Sequence, residues 1–188
     1  MRLILLRHPL PEIAQGLCYG SSDVAAEPAA LARALAELPR TLPADLPPNT
    51  AIYSSPLRRC TALADPLAAL LDAAAPVRDA RLAEMDFGSW EGQPWDAIDR
   101  ADVDAWAADP TGYAPGGGET VIAVARRVHG FLDDVIAPRS DALVVCHAGT
   151  IRLLAAFARD RADIEQAALH AAATPHRIGY ASITILHF

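Results

Sequence analysis

Residues 2–8 read RLILLRH, an apolar run that stops at Arg7 and His8. A short run bounded this way predicts a buried strand. In an open α/β sheet, ligands bind beyond the carboxyl ends of such strands. The first strand end therefore brings a candidate nucleophile and an anion-binding charge to one point. A histidine after a strand is more often structural, so the weight falls on what the rest of the chain sets beside it.

Working outward, a Pro, Gly and Ser-rich loop spans about Pro9 to Ala25. A helical stretch, Pro28 to Leu38, is predicted to end at Pro39, and a proline-rich connector leads to a second strand, Ala51-Ile52-Tyr53. A helix from Leu57 to Leu71 and a third strand from Val77 to Leu82 follow. An aromatic, acidic loop, EMDFGSWEG, precedes a helix from Trp95 to Ala107. The loop YAPGGGET leads into a helix from Glu119 to Val135. Ala142 to Cys146, ALVVC, reads as a fully buried strand, followed by helices Ile151–Ala158 and Asp163–Leu169. ASITILHF is the last strand. Alternation of strands and helices predicts an α/β fold with a mostly parallel sheet. No internal repeat or long linker interrupts residues 1–188, which read as one domain.

Composition narrows the function. The 188 residues are 52% apolar, enough for a sizeable core. Net charge is −7, and all 16 basic residues are arginine. Acidity argues against a nucleic-acid partner, and the lack of lysine excludes Schiff-base and Walker-type lysine chemistry. Cys18, Cys60 and Cys146 are scattered, without zinc-ligand spacing, which suits reduced thiols in a cytoplasmic protein. No stretch resembles a signal peptide or reaches membrane-spanning length. No metal or other cofactor is expected.

Three strand ends carry related polar groups. The first holds Arg7 and His8, and the second Ser54-Ser55, with Arg58 and Arg59 just inside the next helix. The ALVVC strand delivers His147 ahead of a helix start at Ala148-Gly149. Parallel strands place these ends on one sheet edge. Arginine forks bind phosphate oxygens bidentately, and free N–H groups at a helix N-terminus add donors and a favourable dipole. A phosphomonoester is the small-molecule partner this set suits.

These segments resemble the histidine phosphatase superfamily, also called phosphoglycerate mutase-like. The resemblance covers nearly the whole chain and rests on LLRH, YSSPLRRC, LAEMDFGSWEG, GGGET and VVCHAGTIR. It implies a three-layer sandwich, with helices on both faces of the mostly parallel sheet. RHPLPEIAQGLCYGSSDV is most similar to the alpha-ribazole phosphatase branch, which acts in assembling the nucleotide loop of cobalamin. Two departures stand out. Pro9 replaces the family's usual Gly, and no Asn lies between His8 and Gly20, where the mutase branch carries one.

The resemblance implies His8 as the nucleophile that forms a phosphohistidine, with Arg7 and Arg59 as the phosphate clamp. His147 is implied to donate to a phosphoryl oxygen, and the helix start at Ala148 adds backbone donors. Glu84 is implied as general acid and base, with Asp86 and Glu91 as competitors. Arg58 reads as a solvated neighbour, and Trp90 as a wall of the substrate site or a core residue. Glu119 is expected to stabilise a helix dipole, and His129 to be structural or exposed. His170, His176 and His187 carry no functional expectation.

Other readings compete. Cys146 to Arg152, CHAGTIR, matches the C-x-x-G-x-x-R pattern of cysteine-dependent phosphatases. A phosphoglycerate mutase-like phosphomutase, a broad-specificity sugar or nucleotide phosphatase, and a non-catalytic phosphate-binding module are the remaining alternatives. Oligomeric state is not legible.

Overall fold

The computed structural model describes residues 1–173 and 178–188; His176 lies outside them. Its centre is a five-stranded sheet ordered β3-β2-β4-β1-β5. The strands are β1 (Arg2–Arg7), β2 (Ala51–Ser54), β3 (Val77–Arg78), β4 (Ala142–Cys146) and β5 (Ile183–His187). β1, β2, β3 and β4 run parallel, whereas β5 pairs antiparallel with β1 along the edge. The helices are α1 (Pro28–Thr41), α2 (Arg58–Leu70), α3 (Arg100–Ala108), α4 (Val121–Ile136), α5 (Ala148–Phe157) and α6 (Ile164–Ala173).

Side chains alternate across a strand, so β1 feeds two cores. Leu3 and Leu5 pack with Val144, Cys146, the α4 and α5 side chains Val128, Phe131, Leu154 and Phe157, and Ala168 of α6. Ile4 and Leu6 pack on the other face with Leu143, Val145, Ile52, Leu38, Leu63 and Leu67. Helices therefore cover both faces. Each such fully buried aliphatic side chain contributes about 1.5–3 kcal/mol. β4 is buried along its whole length, which is why it reads as an uninterrupted apolar run.

Several boundaries differ from expectation. α1 runs through Pro39 to Thr41, because a proline near the end removes only one intrahelical donor. β3 stops at Arg78, where the Asp79 carboxylate accepts from Arg81 N–H and starts a single 3₁₀ turn. The expected helix from Trp95 divides into a 3₁₀ turn, Trp95–Ala97, and α3, capped by Asp99. α5 starts three residues earlier than expected, directly after His147. α6 reaches Ala173. Among the described residues no helix is long and apolar enough to cross a membrane.

Candidate active site

Register assembles the site. Arg7 of β1 lies opposite Cys146 of β4, and Ser54 of β2 opposite Val145. The next residue on each strand, His8, His147 and Ser55, is thus carried to one edge. The His8 and His147 ring centroids are 5.1 Å apart.

His8 is 2% exposed, and its ring Nδ1–H donates to the Pro9 carbonyl at 2.7 Å. A carbonyl only accepts, so this bond places the proton on Nδ1 and leaves the Nε2 lone pair free. Burial pushes the His8 pKa down to about 3, against the Pro9 hydrogen bond; the Arg59 and Arg7 charges add to the fall. His8 is therefore a neutral imidazole at ordinary pH. Pro9 fits because its carbonyl, not an N–H, is what the ring needs.

Arg59 is fully buried and donates to the Ser22 carbonyl at 2.7 Å and to the Gly20 carbonyl. Arg7 donates to the Ile178 carbonyl, and its guanidinium carbon lies 3.8 Å from the Tyr180 ring centroid. The Nε of each arginine is buried without a partner among the described residues. Arg58 is exposed.

Glu84 reaches the start of α5, where its Oε2 accepts from Gly149 N–H at 3.0 Å and its Oε1 from Met85 N–H at 3.1 Å. A Cβ on Gly149 would collide with this carboxylate, so the close approach requires glycine. The competitors have other duties. Asp86 accepts from Ser21 Oγ–H and Gly88 N–H. Glu91 binds the N–H groups of Gly20, Ser21, Ser22 and Phe87 and fixes the turn that Arg59 grips. Burial acts to raise the Glu91 pKa, but the Ser22 hydroxyl and these N–H donors outweigh it and hold it low.

A cavity of about 310 Å³ gathers Arg7, His8, Arg59, Glu84 and Ala148 in its wall, together with Tyr19, Phe87, Trp95, Trp106 and Arg152. His147 does not line it. It is fully buried beside His8, with Nε2 at 2.8 Å from Ser55 Oγ and 3.4 Å from Cys60 Sγ. Burial and the charges of Arg59, His8, Arg127 and Arg7 push its pKa well below the usual range. Trp90 is 4% exposed and forms a satellite core with Cys18 and Ile98 rather than the cavity wall.

The family model of the histidine phosphatase superfamily, branch 1, matches residues 3–188. The chain belongs to that superfamily. A putative phosphoserine phosphatase 2 of Hydrogenobacter thermophilus is 33% identical over 107 residues, covering 55% of this chain and 52% of that protein. A bifunctional protein of Mycobacterium tuberculosis is 38% identical over 117 residues, covering 58% of this chain and 31% of the other. The matches thus span at most about half the length of these curated relatives. A mycobacterial glucosyl-3-phosphoglycerate phosphatase structure superposes with a TM-score of 0.77 at 28% identity, covering 99% of this chain and 92% of that one. The alpha-ribazole phosphatase of Shigella flexneri shares the fold, with a TM-score of 0.80 at 24% identity over 98% and 89% of the two chains.

Within this histidine phosphatase superfamily member, the cysteine pattern does not form a site. Cys146 is fully buried in the core facing α4 and α5, and burial holds its thiol well above the ordinary pKa, opposite to what a thiolate nucleophile needs. Glu119 does not cap α4. Thr120 does, and Glu119 instead pairs both oxygens with Arg127, at 2.8 Å each. Arg127 is the residue that sequence reasoning missed. Its fork also donates to the carbonyls of Arg81 at 2.8 Å, Ala83 at 2.7 Å and Glu84 at 3.2 Å, fixing the segment that presents Glu84. His129 packs on Phe157 and bonds the Arg161 carbonyl, a structural role. Among the described residues no group of three or more His, Cys, Asp or Glu side chains is placed to hold a metal ion.

Proposed function

We propose that the protein hydrolyses phosphomonoesters through a phosphohistidine on His8, without a metal ion. The observation that carries this reading is the convergence of Arg7, His8, Arg59, Glu84 and the α5 start at Ala148 on one cavity. The Nε2 lone pair of His8 attacks phosphorus as the ester P–O bond breaks, and Glu84 gives its proton to the departing oxygen. Water then loses a proton to Glu84 and forms the new P–O bond as the N–P bond breaks, returning His8 and releasing phosphate. Arg7 and Arg59, each with a buried Nε–H that has no partner among the described residues, stabilise the charge spread over the phosphoryl oxygens. His147, held by Ser55 behind the cavity wall, packs beside the His8 ring and positions it.

For the physiological substrate, alpha-ribazole 5'-phosphate is the first choice, on the resemblance of residues 7–24 to that phosphatase branch. Glucosyl-3-phosphoglycerate and phosphoserine are the compounds that the names of similar proteins bring into the same panel. The place of action is the cytoplasm, on three unpaired, buried cysteines.

The test is a phosphomonoester panel with two variants. His8→Ala abolishes turnover, whereas Cys146→Ser retains most of it; the reverse pattern overturns the mechanism. A rapid quench yields acid-labile, base-stable label on the wild-type protein. Turnover that survives a chelator supports the metal-free site. Release of inorganic phosphate rather than an isomerised phosphoester separates hydrolysis from mutase activity.

A further inference from the structure

Beyond the phosphate end, the cavity wall consists of Leu17, Tyr19, Phe87, Trp95 and Trp106. Trp95 and Trp106 lie with their planes 11° apart and centroids 6.3 Å apart, and Phe87 meets each of them edge-on, at 5.8 and 5.9 Å. Trp95 is still 40% exposed. A tryptophan left that open at a cavity rim has a flat apolar face to offer.

Most polar groups in this part of the wall are already occupied by the protein, the exception being the buried Nε1–H of Trp106, which has no partner among the described residues. The Tyr19 hydroxyl bonds to the Tyr180 hydroxyl at 2.9 Å. Glu84 accepts from two backbone N–H groups, and Arg152 donates to the Ala171 and Ala172 carbonyls at the end of α6. A leaving group rich in hydroxyls or carrying a carboxylate would lose water here and find few partners, which costs binding energy. The rim is also fixed in advance. Leu17 and Pro94 form an antiparallel bridge, with Trp95 N–H donating to the Gly16 carbonyl at 2.8 Å and Cys18 N–H to the Gln93 carbonyl at 2.8 Å. Little ordering remains to be done when a flat group docks.

We infer that this wall is a leaving-group subsite selective for uncharged aromatic alcohols, with Trp95 and Trp106 as its specificity-determining residues. This rests on the phosphatase reading above and adds the chemical class of the group that departs. The aromatic ring packs on the indole faces while the ester oxygen stays within reach of Glu84.

The experiment compares kcat/KM for 2-phenylethyl phosphate, 2-cyclohexylethyl phosphate and glycerol phosphate. All three leave as alkoxides of similar acidity, so differences report recognition rather than chemistry. The phenyl compound is expected to exceed the cyclohexyl one about fivefold and glycerol phosphate by about tenfold or more. In Trp95→Leu, which keeps apolar bulk without a π face, the phenyl-to-cyclohexyl ratio falls to about one, whereas Trp95→Phe keeps a ratio above one. Trp106→Leu behaves as Trp95→Leu. Equal kcat/KM for the three esters, or variants that depress all three alike, overturns the subsite while leaving the phosphatase reading intact. No turnover of any ester by the wild type overturns the phosphatase reading and the subsite with it.

Discussion

His8 depends on the carbonyl of Pro9, and His147 on the hydroxyl of Ser55. Pro9→Gly keeps that carbonyl, so turnover is expected to stay within about threefold of wild type, with about 0.4–1 kcal/mol lost through a looser unfolded chain. Steady-state kinetics and urea denaturation check both halves. Ser55→Ala leaves a fully buried imidazole nitrogen with only the weaker Cys60 thiol at 3.4 Å; kcat is expected to fall about tenfold, with KM changing less, and Ser55→Thr to restore part of the loss. Because the His8 pKa is lowered to about 3, the nucleophile is already unprotonated across the usual titration range of histidine. The acid limb of kcat at saturating ester, where the free ester's own ionisation at pH ~6 does not enter, is therefore expected well below pH 6.5, and a limb centred near 6.5 would contradict a buried, neutral His8. The identities of these residues were legible in RLILLRH and VVCHAGT, because strand ends mark themselves by an abrupt change from apolar to polar. That His147 stands behind the cavity wall was not legible, since one residue of register decides which way a ring faces.

At the level of elements, Glu84 is presented by a segment with almost no regular structure, a 3₁₀ turn followed by a loop. Its order comes from α4 and α5. Arg127 of α4 ties down three of its carbonyls, and the buried Thr150 hydroxyl of α5 sits 3.3 Å from the Leu82 carbonyl. Arg127→Met keeps the aliphatic stem but removes the fork's bonds to those carbonyls and to Glu119, which then keeps only the Asp86 N–H. A loss of about 2–3 kcal/mol in urea denaturation is expected, with kcat falling more than KM rises because Glu84 is no longer held. Arg127→Lys rescues little, since an ammonium cannot span a carboxylate and three carbonyls as the fork does. Unchanged kcat in Arg127→Met would show that Glu84 holds its place without α4. The sequence offered no sign of this support. Arg127 lies 43 residues from Glu84, and a single arginine on an amphipathic helix looks like surface. The Glu119–Arg127 pair was hidden likewise, because Glu119 next to the cap position reads first as a dipole partner.

At the scale of the molecule, the alternation of strands and helices was enough to predict a mostly parallel sheet covered on both faces. The antiparallel edge strand β5 was not legible, because strand direction depends on the length and path of the connection before it. The same sheet that gathers the site also buries two histidines at 2% and 0% exposure, and this couples folding to pH. Both folded-state pKa values lie below the ordinary value of 6.5, His8 at about 3 and His147 well below, mainly through burial. Between those values and 6.5 the unfolded chain binds more protons than the folded one, so stability rises with pH in that window. It is fully present above about pH 6.5 and is lost on acidification, at no more than ~1.4 kcal/mol per pH unit for each histidine. Carboxylates with lowered pKa, such as Glu91 and Asp141, add their own loss only at lower pH, below their ordinary values of 4.5 and 3.8. Urea midpoints measured from pH 7.5 to 5 therefore isolate the histidines. The midpoint is expected to fall steadily below pH 6.5, and the fall to flatten in His147→Gln, whose amide does not titrate. A wild-type midpoint constant over that range would mean that the two rings take up protons while folded, which the buried site beside two arginines does not allow.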